Sequence, residues 1–166
     1  MNTAERQYIL PTPVKNEEST IGITIDSVVK QSLLPAEWII VSDGSTDQTD
    51  SMVEAAARTN PWIRLIQLPI RPTRSFAAVV HATEIGVKSL KSTEYKYLGL
   101  SDAHVRVAPN YFESLIERFE QNPSLGLAGG MVVDVGTPKD QRPRNVQDVP
   151  GAVQFFRRTC FDSLGG

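Results

Sequence analysis

A chain of 166 residues has the length of one domain. Its 17 Lys and Arg against 19 Asp and Glu leave a net charge of −2, and 40% of its residues are apolar. That balance excludes a disordered chain and gives no electrostatic reason to coat nucleic acid or an anionic membrane, so any bound anion needs a local site. The single cysteine, Cys160, forms no intrachain disulfide and fits a reducing compartment. The start, MNTAERQY, has no apolar leader, and no apolar run approaches the length of a membrane span.

Tyr8-Ile9-Leu10 reads as a short strand closed by Pro11 and Pro13. Ile21, Ile25, Val28 and Val29 fall on one helix face, with Glu17 and Glu18 near its start. Trp38-Ile39-Ile40-Val41 is a continuous apolar run, the mark of a strand buried on both faces. Ser42-Asp43-Gly44-Ser45 is a turn, and Asp47 and Asp50 open a helix that ends at Asn60-Pro61. Ile63 to Leu68 predicts a third strand, Pro69 to Ser75 a loop, and Phe76 to Leu90 an Ala- and Val-rich helix expected to pack deeply. Tyr97 to Leu100 predicts a fourth strand, ending on Ser101-Asp102-Ala103-His104. Tyr111, Leu115, Ile116 and Phe119 mark a further helix face. Leu127 to Val135 reads as strand, with Gly129-Gly130 a bulge or a close backbone approach. Residues 136–149 read as a long loop, Val153 to Phe156 as a short strand and Arg157 to Leu164 as a short helix.

Strand alternating with helix four times implies βαβ units and a mostly parallel sheet with helices on both faces. Such sheets bind ligands beyond the carboxyl ends of their strands. Asp43, Arg74 and the pair Asp102/His104 each follow a predicted strand, so three segments place polar groups on one rim. The usual phosphate and nucleophile motifs are absent. The chain has no GxGxxG, no GxxxxGK[ST] and no GxSxG, and Pro11 and Pro13 remove N–H donors from the first strand end.

Five segments resemble, in order and spacing, family 2 glycosyltransferases of the GT-A fold. They are Ile9-Leu10-Pro11-Thr12-Pro13-Val14-Lys15-Asn16-Glu17-Glu18, Ser27 to Gln31 as SxxxQ, Ile39 to Thr49 as IVDDGSTDxT with Ser42 for the first Asp, Asp102-Ala103-His104 in the place of DxD with Pro109-Asn110-Tyr111-Phe112 beyond, and Gly151 to Arg158 as GAxxxFRR. The resemblance covers about residues 8–166. It implies a GT-A Rossmann-like sheet truncated at the C-terminus: a donor-binding half, about 8–135, and the start of an acceptor region, about 150–166.

The implied activity is inverting transfer of a sugar from a UDP- or GDP-type donor to a glycan or lipid-linked acceptor, in polysaccharide synthesis. The family's matching Asp makes Asp43 the acceptor for a base N–H, with Pro13 and Val14 along the base and Glu17 near the base or ribose. Arg74 would hold phosphate in a fork. Asp102 and His104 would hold a divalent cation bridging the diphosphate, Mg²⁺ or Mn²⁺, and the imidazole favours Mn²⁺. Plain structural readings stand beside these. Asp43 could bond its own turn, Glu17 could complement a helix dipole, Arg71 and Arg74 could sit in a solvated loop, and His104 could be a surface residue.

Some positions depart from the family. Its Lys and Asn in the Phe76–Gly86 helix correspond to Val79 and Glu84, and a Lys two residues before the first Asp corresponds to Leu100. The catalytic base of the family lies in an ED-like motif beyond Gly166, so no catalytic residue is expected in this chain. The alternative is a non-catalytic GT-A module that binds a nucleotide sugar or a protein partner. The expected location is cytoplasmic, peripheral at the membrane, with no nucleic-acid partner and the oligomeric state open.

Overall fold

A computed structural model describes residues 3–70, 76–131 and 149–165. A 3-10 turn, Thr3–Arg6, leads into strand β1, Tyr8–Val14, and then helix α1, Ile21–Val29. There follow β2 (Glu37–Ser42), α2 (Thr49–Thr59), β3 (Ile63–Gln67), α3 (Phe76–Lys88), β4 (Tyr97–Ser101) and α4 (Tyr111–Gln121). The two-residue β5 (Leu127–Ala128), β6 (Val153–Arg157) and α5 (Arg158–Ser163) complete the described elements.

The six strands form one sheet in the order β3-β2-β1-β4-β6-β5. β1 runs parallel to β2 and β4, and β2 parallel to β3, while β6 is antiparallel to both β4 and β5. The alternation of side chains along each strand sorts the core into two layers. Tyr8, Leu10, Trp38 and Ile40 face α1, α2 and α4, where Phe112 stacks on Tyr8 with ring centroids 4.9 Å apart. Ile39 and Val41 face α3 through Ala82, and Ile9, Leu98 and Phe156 pack beside Val87 and the α5 residue Phe161. Burying these large side chains stabilises each by about 1.5–3 kcal/mol, so both faces of β1 and β2 are committed to the core.

Three expectations need correction. Pro11 and Pro13 do not end β1, which continues to Val14. Tyr8 O accepts from the Ala36 N–H and Val14 O from the Asp43 N–H, so even-numbered residues bond towards β2 and odd-numbered ones face β4. The β4 ladder stops at Ile9, so the missing N–H groups of Pro11 and Pro13 face a side with no ladder to lose. The strand predicted from Leu127 ends at Ala128; residues 132–135 lie outside the described residues, as do 136–148 of the predicted loop. Gly129 and Gly130 are a close approach rather than a bulge within a strand: a Cβ on Gly130 would stand 2.4 Å from the Tyr111 ring, whose hydroxyl accepts the Gly130 N–H at 2.8 Å. Finally, α3 does not pack deeply. Of its described residues only Ala78, Ala82 and Gly86 are buried, with Ile85 and Val87 partly buried against the sheet; a Gly86 Cβ would meet Pro11 and Val41 at 3.2 Å, and Val79 and Val80 are exposed.

Candidate functional site

The carboxyl ends of β1, β2 and β4 open onto one narrow cleft of about 60 Å³. Pro13 and Val14 line it from the last two positions of β1, Lys15 and Glu17 from the following loop, Asp43 from just beyond β2, and Asp102, Ala103 and His104 from just beyond β4. Ala78, Val79 and Ala82 of α3 form the opposite wall. Six sequence-predicted site residues are therefore brought together; the seventh, Arg74, lies outside the described residues with its neighbour Arg71. From the edge formed by Pro13, Val79 and Asp102 a larger hollow of about 720 Å³ extends between α3 and β6, reaching Glu84, Lys88 and Gln154.

The loops after β1 and β2 hold each other. The Asn16 N–H donates to Ser45 Oγ at 3.1 Å, and Asn16 Oδ1 accepts from the Thr46 N–H at 2.8 Å. The Glu17 N–H donates to Thr49 Oγ1 at 2.8 Å, the Glu18 N–H to Asp47 Oδ2 at 3.1 Å, and Glu18 Oε2 accepts from the Gln48 N–H at 2.9 Å. Each loop thus supplies the partners that the other's backbone needs where neither helix nor ladder can. Asn16 takes φ 52°, a left-handed conformation that Asn tolerates. Gly44 takes φ 68°, and a Cβ there would stand 2.5 Å from Ile70 Cα, so only glycine fits this turn. Ser42, which departs from the family pattern, is fully buried and bonds Ser45 at 2.9 Å.

Asp43 presents a carboxylate that is only 7% exposed, with Lys15 Nζ 3.6 Å from Oδ2. A carboxylate held in this way is a strong acceptor for an N–H. The sequence reading missed Lys15, although it follows Pro13 and Val14 directly in the loop already assigned to the site. Glu17 lines the cleft and also serves the start of α1, since its Oε2 accepts from the Thr20 hydroxyl at 2.8 Å. Glu84 lies in the larger hollow, and its charge is offset by Lys88, 3.3 Å away.

Asp102 and His104 are half-exposed at the far end of the cleft, with Asp102 Oδ2 3.8 Å from His104 Nε2. Two ligand bonds of about 2.1 Å reach across a separation of up to about 4.2 Å, so one ion can touch both atoms. No third His, Cys, Asp or Glu joins a metal-binding group among the described residues. A donor set of one carboxylate and one imidazole suits a cation that takes its remaining oxygens from phosphate and water.

Comparison with known proteins agrees with this architecture. The profile described as glycosyl transferase family 2 matches residues 11–164. The chain is 31% identical over 117 residues to the uncharacterized glycosyltransferase EpsJ of Bacillus subtilis, covering 70% of this chain and 31% of that protein. It is 28% identical over 142 residues to the poly-beta-1,6-N-acetyl-D-glucosamine synthase of Staphylococcus aureus, covering 84% of this chain and 29% of the synthase. The mannosyltransferase PcManGT of Pyrobaculum calidifontis, solved with GDP-Man and Mn²⁺, superposes with a TM-score of 0.73 at 20% identity, over 98% of this chain and 47% of that one. The chain thus spans about three-tenths of the length of these curated relatives. With the profile covering nearly its whole length and the sheet of a GT-A protein, the chain belongs to glycosyl transferase family 2.

Proposed function

We propose that the chain is the nucleotide-sugar-binding part of an inverting glycosyltransferase that uses a UDP- or GDP-type donor. The observation that carries this reading is the cleft that Asp43, from the end of β2, and the Asp102/His104 pair, from the end of β4, share across the end of β1, where Pro13 and Val14 lie; Glu17 also lines it. Uracil and guanine each present an N–H that the Asp43 carboxylate would accept, with the base against Pro13 and Val14. Lys15, beside Asp43, would donate to a neighbouring base carbonyl. Arg74 would add a bidentate contact to phosphate. Asp102 and His104 would hold Mn²⁺ or Mg²⁺, and the cation, when bound, neutralises charge on the departing diphosphate. The Mn²⁺ and GDP-Man bound by PcManGT support this donor class, and the polymer made by the staphylococcal synthase supports a glycan product.

Both relatives are named for glycosyl transfer or polymer synthesis, which favours an enzyme over a non-catalytic module. In this reading residues of about 8–135 bind the donor and those of about 150–166 begin the acceptor side, with the general base supplied by the longer protein. A cytoplasmic location at the membrane face belongs to the same proposal; no helix among the described residues is long and apolar enough to cross a membrane. Calorimetric titration with UDP, GDP and their sugars, with and without Mn²⁺, tests the reading. Binding of one nucleotide is expected, strengthened by Mn²⁺, and turnover of its sugar in the longer protein. Absence of any nucleotide binding overturns it, and binding without turnover in the longer protein returns the non-catalytic alternative.

A further inference from the structure

The segment Asp102–Asn110 carries both candidate metal ligands and has no regular structure, yet one helix grips its backbone along most of its length. Thr24 and Ser27 of α1, and Gln31 just past its end, are buried polar side chains with relative exposures of 2%, 9% and 7%. Thr24 Oγ1 donates to Ala103 O at 2.8 Å. Ser27 Oγ accepts from the Val107 N–H at 3.2 Å and donates to Thr24 O at 2.9 Å. Gln31 Nε2 donates to Ala108 O at 2.6 Å, and its Oε1 accepts from the Phe112 N–H at 3.3 Å. The Ser32 N–H adds a bond to Pro109 O at 2.7 Å. On the other side, the Asp102 N–H donates to Ala152 O at 3.0 Å, continuing the pairing with β6.

The backbone around the two ligands is therefore held from both sides, by Ala152 through the Asp102 N–H just before the first ligand and by Thr24 through the Ala103 carbonyl between them. Ala103 itself is 3% exposed, so the backbone cannot turn there without emptying a packed position. A valine at 24 would fill nearly the same volume on the buried face of α1. What threonine adds is the bond to Ala103 O, at the cost of burying a hydroxyl.

We infer that Thr24 is a positioning residue for the Asp102/His104 pair, an inference that rests on the metal-dependent donor binding proposed above. Its hydroxyl fixes the carbonyl between the two ligands and so their 3.8 Å spacing. Partners that orient metal ligands typically govern affinity by about 10- to 100-fold.

The test titrates Mn²⁺ into the chain with UDP or GDP present, following the EPR signal of free Mn²⁺. Alongside it run nucleotide titration in chelator and thermal unfolding, for wild type, Thr24→Val, Thr24→Ala and Thr24→Ser. Expected are a loss of at least about 10-fold in Mn²⁺ affinity for Thr24→Val, metal-free nucleotide affinity within about twofold of wild type, and recovery in Thr24→Ser. Thr24→Ala repeats the loss of the hydroxyl should the valine variant fail to fold. Folded Val or Ala variants with wild-type Mn²⁺ affinity, or no recovery with serine, overturn the positioning role alone. A wild-type chain that binds no Mn²⁺ with nucleotide overturns the site reading, and the positioning role with it.

Discussion

The two ends of the cleft are built differently. At the Asp43 end, two loops interlock through side chains donated in both directions, and the carboxylate is only 7% exposed beside Lys15. At the Asp102 end, a single irregular segment is held from below by α1, and both candidate ligands reach solvent, at 41% and 52% exposure. A buried, prebuilt acceptor can read a flat base with little rearrangement. Half-exposed ligands on a clamped backbone can meet a cation that arrives with its phosphates and waters. The side chain at the Asp43 end is thus buried and fixed, while those at the Asp102 end stay open to water.

Asp43→Ala breaks the comparison most directly. Nucleotide binding should weaken by roughly 1.5–3 kcal/mol, the range for a hydrogen bond to a charged group. Calorimetry in chelator should show the same loss, because that end works without metal. Unchanged affinity would leave Asp43 as a turn residue.

Gly44→Ala attacks the scaffold of the same end rather than its chemistry. With φ at 68° and Ile70 Cα 2.5 Å from the new methyl, thermal or urea unfolding should reveal about 1–3 kcal/mol of destabilisation. A variant as stable as wild type would mean that the loop pair yields more easily than its hydrogen bonds suggest.

His104→Asp sharpens the other end. Replacing imidazole with carboxylate should lower the preference for Mn²⁺ over Mg²⁺ several-fold while sparing metal-free nucleotide binding. Competitive titration of the two ions measures it, and an unchanged ratio would remove His104 from the ligand set.

Asp47→Asn should have the smallest effect, a few tenths of a kcal/mol in stability. Burial pushes the Asp47 carboxyl up, but hydrogen bonds from Thr49 and the Glu18 N–H outweigh it and hold the group below the usual Asp value. A lowered folded value stabilises above the unfolded one and loses that contribution as pH falls through the folded value. The gap between wild type and variant in thermal unfolding should therefore close below about pH 4. A gap that persists in acid would assign the effect to shape rather than charge.

Much of the site was legible because its residues follow apolar runs. Trp38 to Val41 announces a buried strand, so Asp43 must lie at its end, and the same reasoning places Asp102 after β4. Lys15 escaped notice because nothing local marks a lysine as facing a carboxylate nearly thirty residues away. Ser27 and Gln31 were recognised as a motif without a purpose, since their partners at Val107, Ala108 and Phe112 lie some eighty residues on.

By itself the sequence determined the alternation of strands and helices, the apolar faces and the rim on which the polar turns fall. Those features arise from periodicities of two and 3.6 residues, which operate within each segment. Tertiary structure decided the rest. It allowed two prolines inside β1 by ending the β4 ladder early, left much of the first half of α3 exposed, and set β6 antiparallel between β4 and β5. It also locked the two loops at the Asp43 end and clamped the segment at the Asp102 end. Each of these depends on which distant backbone groups remain to be satisfied once the sheet has closed, a condition that no local pattern of residues encodes.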